Sequence, residues 1–253
     1  MKQKILAIIS FIMIILVFIV SCGKKEEKNG IKKKYLIATD SIYAPFEFQE
    51  NGKYVGIDID IIDAISKLEG FEYELKPMDF GGIIAALQSG QIDGAIAGAT
   101  ITEERKKAVD FSDPYYEKGL VAVVNKENTS ISKAADLEGK KLAIKNGTAG
   151  ADYVNENLKG KSEIRVYEDT VSMFKAVENG QADAAFEDLP VIEYSIKTTP
   201  DTKLKVGTEK LTVGHYGFMV KKGENSELLD KFNSGLKKIR ENGEYDKILA
   251  KYK

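Results

Sequence analysis

The chain has 253 residues, 37 Lys or Arg against 39 Asp or Glu, with one histidine and one cysteine. A single cysteine excludes an intrachain disulfide, and with one histidine it leaves no zinc set and no Cys-His nucleophile. A Ser-His-Asp arrangement could form only around His215, which reads better as a structural residue, and no basic footprint for nucleic acid is present.

Lys2 and Lys4 precede a run from Ile5 to Val20 that is apolar except for Ser10, followed by "IVSC". A basic start, a short apolar core and small residues before a cut site describe a secretory signal, expected over 1–21. The run is shorter than the ~20 residues of a spanning helix, although an uncleaved anchor with an incidental cysteine is the alternative. Ile19-Val20-Ser21-Cys22 resembles the bacterial lipobox, which implies that Cys22 is acylated and becomes the new N-terminus. Loss of Lys2 and Lys4 moves the net charge from −2 to −4. Residues 22–34 contain Ile31 as their one large apolar side chain and read as a solvated tether whose lysines favour an anionic membrane surface.

From residue 35 strand-like and helix-like segments alternate. "YLIATD" reads as a strand. "DIDIIDAISKLEG" places Ile61, Ile62, Ile65 and Leu68 on one helical face and ends with Gly70 as C-cap. "FEYELK" alternates as a strand, "GGIIAALQSG" reads as helix and "QIDGAIAG" as strand. "KKLAIKNG", "GADYVNENLKG", "EIRVYED" and "VSMFKAVENG" repeat the theme. This predicts α/β layers around largely parallel sheets. "AALQSGQIDGAIA" (85–97) and "KAVENGQADAAFE" (175–187) echo each other through Gly-Gln-x-Asp, which suggests two similar lobes. Asp40, Gly98 to Thr100, Lys145 and Glu187-Asp188 then end equivalent strands, where open α/β sheets bind ligands. In "AGATITEERKK", Thr102 reads as an N-cap with Glu103 and Glu104 in the first turn. Arg105 follows at the end that disfavours a cation. It either pairs with those glutamates on the surface or awaits an anion.

The stretches "IATDSIYAPFEF", "YVGIDIDIIDAI", "YELKPMDFGGIIAALQ", "ITEERKKAVDFSDPYY" and "RENGEYDKI" resemble the periplasmic amino-acid-binding proteins of ABC importers (solute-binding protein family 3), most nearly the glutamine-binding kind. The resemblance implies a two-lobed type II periplasmic-binding-protein fold, each lobe a mixed, mostly parallel sheet with flanking helices. Lobe 1 would span 35–114 and 217–253, lobe 2 would span 120–211, and the hinge crossings 115–119 and 212–216. It implies a monomer without cofactor or metal that binds a free L-amino acid, works outside the cytoplasm on a lipid anchor and serves an ABC permease. Arg105 and Thr100 would grip the ligand's α-carboxylate. The Gly98 carbonyl, the Thr100 hydroxyl and Asp188 would accept its α-ammonium. Tyr43 and Phe80 would sandwich its stem, and the backbone around Ala149 would approach from lobe 2.

By the same resemblance Asp40 and Lys145 would flank the side-chain end. A terminal amide would satisfy one acceptor-only and one donor-only group, which favours glutamine. Ala149 stands where the glutamine-binding pattern has glycine, and Glu187 where it has histidine. If Glu187 neutralises Lys145, basic amino acids, arginine or lysine, become the alternative. An enzyme of the same fold, such as a dehydratase, would need an acid–base pair, for which Glu187 and Lys145 are the candidates; the expectation is a binder, not an enzyme.

Overall fold

The structure, a computed structural model, describes residues 34–253. The signal segment, Cys22 and the tether up to residue 33 lie outside the described residues. Lys34, expected to end the tether, instead opens strand β1 (Lys34–Asp40). It lies opposite Glu72 in the ladder, and its ammonium pairs with Glu74 at 2.9 Å.

Two sheets form the two lobes. In the first, β1 lies between β4 (Glu72–Met78) and β5 (Gly94–Ala95), parallel to both. β13 (Met219–Lys221) then joins antiparallel to β5 and to β6 (Val109–Phe111). In the second, β8 (Lys141–Lys145) runs parallel to β9 (Glu163–Tyr167) and to β10 (Ala184–Asp188). The long β7 (Tyr116–Asn125) pairs antiparallel with β10, β11 (Leu204–Val206) and β12 (Thr212–Tyr216). Parallel pairing is therefore confined to the strands joined by helical crossovers. The antiparallel pairs come from β7 and β13, with which the chain enters the second sheet and returns to the first. A hairpin of β2 (Phe48–Glu50) and β3 (Lys53–Val55) stands apart.

The helices follow the sequence pattern closely. Helix α1 (Ile57–Glu69) buries Ile61, Ile62 and Ile65 and stops at Gly70, whose φ of 67° is the left-handed C-cap. Leu68 departs from expectation: in the last turn, beyond the reach of its neighbours, it is 46% exposed. Helix α2 (Ile83–Gln88) and helices α3 (Ala149–Asn157), α4 (Thr170–Glu178) and α5 (Leu189–Thr198) flank the sheets. Helices α6 (Ser226–Glu241) and α7 (Glu244–Lys251) close the first lobe. There Phe232 of α6 stacks on Phe218 with centroids 4.5 Å apart, among the buried Ile37, Ile61 and Ile65.

The Gly-Gln-x-Asp echo has a physical basis. After α2 and after α4 the chain turns through Gly90 and Gly180, at φ 72° and 69°, where a side chain would be strained. The Gln91 N–H returns to the Ala86 carbonyl and the Gln181 N–H to the Ala176 carbonyl. Asp93 then donates its N–H to the Leu36 carbonyl and accepts the Leu36 N–H on its carboxylate at 2.9 Å. Asp183 does the same to Lys141, with its carboxylate at 2.8 Å. Each aspartate thus fixes the start of its strand beside the neighbouring strand, one lobe copying the other.

Candidate functional site

The carboxyl ends of β1, β5, β8 and β10 face one narrow cleft. Its lining holds all ten residues singled out in the sequence: Asp40, Tyr43, Phe80, Gly98, Thr100, Arg105, Lys145, Ala149, Glu187 and Asp188.

Arg105 is 7% exposed, so the surface alternative does not hold. Its flanking acids are taken elsewhere: Glu103 pairs with Lys106 and Glu104 with Lys107. The expected helix is a single 3-10 turn over Arg105–Lys107 with Glu104 at its cap position, and the Thr102 hydroxyl, expected as the cap, accepts the Arg105 N–H at 3.2 Å from two residues further back. The guanidinium donates to the Thr100 carbonyl at 2.8 Å and, across the cleft, to the Gly147 carbonyl at 2.9 Å, with its carbon 5.4 Å from the Phe80 centroid. Among the described residues it forms no ion pair. Burial lowers its pKa, only partly offset by Asp152 and Asp188. It is a buried cation served by neutral acceptors.

Gly98 is required twice over. Its φ is 55°, and a Cβ there would lie 2.6 Å from the Tyr43 ring. Opposite, Gly147 (φ 70°) leads to Thr148, whose hydroxyl caps α3 by accepting the Ala151 N–H, which leaves Ala149 at the first position of that helix.

Two of the cleft's acids are paired with lysines, and one acid is left over, as Arg105 is among the bases. Lys145 forms a buried salt bridge with Asp40, and its ammonium lies 5.0 Å from the Tyr43 ring centre and 5.7 Å from that of Phe80. Asp188 begins α5 without capping it; its carboxylate instead meets Lys118 at 2.8 Å and accepts the Tyr216 hydroxyl. Among the described residues Glu187 has no cation partner. It accepts from Thr170 at 2.9 Å and from the Asp188 N–H at 2.8 Å, and the Tyr43 hydroxyl lies 3.0 Å away. Burial first, then the negative Asp188, push Glu187 up to about 7, against a smaller pull from Lys145. The expected choice between neutralising Lys145 and bonding elsewhere is thus resolved: Asp40 neutralises the lysine and Glu187 bonds hydroxyls.

Sequence reasoning missed Lys118, Thr170 and Tyr216. Lys118 sits within "YYEKG" and Tyr216 within "TVGHY", stretches read only as crossings. The one signal was the register that pairs β7 with β12 and brings Leu120 opposite Asp188. His215, read as structural, is exposed on β12 opposite Glu117 and takes no part in the cleft. Among the described residues no group of three or more His, Cys, Asp or Glu is placed to hold a metal, and no helix is long and apolar enough to cross a membrane.

Two lobes and strand ends facing one cleft, with a buried guanidinium that has no ion pair among the described residues, are the fold of the type II periplasmic binding proteins. Residues 35–253 match the bacterial extracellular solute-binding proteins, family 3, and the chain belongs to that family. Among its relatives, a probable histidine-binding protein of Neisseria gonorrhoeae is 35% identical over 87% of this chain and 83% of its own. An ancestral arginine-binding protein bound to arginine superimposes with a TM-score of 0.82 at 43% identity, covering 87% of this chain and 97% of that one. An ancestral arginine-binding protein bound to glutamine gives 0.81 at 44%, with the same coverage. These relatives are solute-binding proteins rather than enzymes.

Proposed function

We propose that the protein captures a free L-amino acid between its lobes outside the cytoplasm and delivers it to an ABC importer. Arg105 receives the α-carboxylate by exchanging the Gly147 carbonyl for a charge-matched, bidentate partner. The Gly98 carbonyl, the Thr100 hydroxyl and Asp188 receive the α-ammonium, while Tyr43 and Phe80 enclose the stem. The chain is anchored through lipid on Cys22, and Cys22→Ser should leave an unprocessed precursor.

The side chain is the finer question, and one observation carries our answer. Glu187 is a buried acid without a cation, whereas Lys145 is already held by Asp40. A guanidinium or ammonium would supply the missing charge, so we favour a basic amino acid, arginine first. Of the two ancestral relatives, one is bound to arginine and the other to glutamine, so the choice rests on the charge of Glu187. Glutamine is the second reading, favoured by the Lys145 ammonium, which lies against the Tyr43 and Phe80 rings of the cleft and would donate to an amide oxygen but repel a cation. A competition titration by calorimetry decides: arginine should displace glutamine at equal concentration, and the reverse order would return the assignment to glutamine.

A further inference from the structure

Two buried acids behind the cleft have no role in the capture just described. Glu47, before β2, and Asp58, in the first turn of α1, are both fully shielded from solvent. One Asp58 oxygen accepts the Gly98 N–H at 2.8 Å and the Tyr115 hydroxyl at 2.7 Å, and that hydroxyl lies 3.2 Å from the same N–H. The other Asp58 oxygen and both Glu47 oxygens are buried without a donor at hydrogen-bond distance, and the backbone sets the two side chains beside one another, with the Asp58 N–H bonded to the Phe46 carbonyl at 2.9 Å. Ionised carboxylates only accept, so two such groups can satisfy one another only with a proton on one of them. Around Glu47 stand the carboxylates of Asp58 and Asp40, the Lys145 ammonium and the Asp40 backbone N–H; around Asp58 stand Tyr115, Gly98 and Glu47. Burial, then the charge of Asp58, raises Glu47 well above the ordinary carboxyl range, whereas Asp58 collects the donors. The proton therefore rests on Glu47.

We propose that Glu47 and Asp58 share one proton and act as positioning residues for Gly98, the acceptor of the ligand's α-ammonium. This rests on the amino-acid reading above. With the Glu47 proton in place, both Asp58 oxygens are satisfied and Gly98 is held in its left-handed conformation. A single negative charge remains behind the ammonium's seat. With two ionised carboxylates, three oxygens would be bare and like charges would adjoin.

The test uses Glu47→Gln, whose amide donates as the acid does, and Glu47→Leu, which cannot donate. At alkaline pH the wild type should show the infrared carbonyl stretch of a protonated carboxyl, and Glu47→Gln should lose it. The melting temperature of Glu47→Gln relative to wild type should climb as pH rises above the ordinary carboxyl range. The stability lent by a raised carboxyl is complete below its unfolded pKa and lost as pH rises toward its folded one. A Glu47 that only fills space would give a constant offset. For binding, Glu47→Gln should hold arginine and glutamine within about threefold of wild type, and Glu47→Leu should lose about tenfold or more, the worth of one hydrogen bond to a charged group. A des-amino analogue of arginine should not distinguish Glu47→Leu from wild type. No acid band, or a flat temperature offset, overturns the shared proton. Equal losses for arginine and its des-amino analogue overturn the link to Gly98. If the wild type binds neither amino acid, the proposed function fails and the ammonium role with it, while the infrared and melting results still decide the proton.

Discussion

Arg105 shows how far one side chain can be reasoned from its setting. Its neighbours in sequence offer carboxylates, but in space it has only carbonyls. Arg105→Ala would leave a bound carboxylate unpaired in a dry cleft at a cost of about 2–5 kcal/mol. Calorimetry should therefore show an affinity loss of roughly 30- to several-thousand-fold. Arg105→Lys should also bind poorly, because a point charge cannot reproduce the fork. Glu187 gives a second test, through pH. Near-complete ionisation requires a pH above about 7 in the free protein. A cation bound beside it favours the ionised form. Affinity for arginine should thus rise as pH climbs toward 7, by at most about tenfold per unit, and level off above it. Glutamine should show no such rise, and Glu187→Gln should flatten the arginine profile. These polar positions were legible because strand ends and the family resemblance select them. What each one bonds was not: Asp40 with Lys145 and Asp188 with Lys118 join residues far apart in the chain, and no local spacing reports such pairs.

Among the elements, the repeated helix–turn–strand unit was the most readable, because every part of it is local. The glycine needs a left-handed turn, and the aspartate reaches only one strand away. Asp93→Ala and Asp183→Ala each remove the acceptor of a backbone N–H, and each should destabilise by about 1–3 kcal/mol in denaturant unfolding. The two sites lie in different lobes, so their effects should add within a few tenths of a kcal/mol. Strand directions were harder to read. A return strand such as β13, three residues long between β5 and β6, carries the same apolar pattern whichever way it runs. Likewise "QIDGAIAG" yields only Gly94–Ala95 as paired strand, because beyond them the chain must turn aside to present Gly98.

At the scale of the molecule, side chains of the cleft tie the lobes together. Asp40 to Lys145, Arg105 to the Gly147 carbonyl and Tyr43 to Glu187 all cross from one sheet's residues to the other's. A ligand that takes over some of these contacts can shift the equilibrium only by what it gains in the closed arrangement. Lys145→Met removes one tie and should give a free protein with a larger radius of gyration than wild type in small-angle scattering. Saturating arginine should restore the smaller value. An unchanged radius in the variant would mean that this pair does not govern closure.

The balance of charge in the cleft carries a kinetic consequence. Lys118, Lys145 and Arg105 stand against Asp40, Asp188 and Glu187, and two of the three possible pairs are already closed and shielded from solvent. Such a site projects little field beyond its rim, so it cannot draw a ligand through solution by long-range attraction. Encounter is left to diffusion and to the rate at which the lobes part. Stopped-flow association should therefore change little as sodium chloride is raised from about 10 to 500 mM, a range over which the screening length falls severalfold. A protein displayed outside the cytoplasm would then load at the same pace in dilute and in saline surroundings.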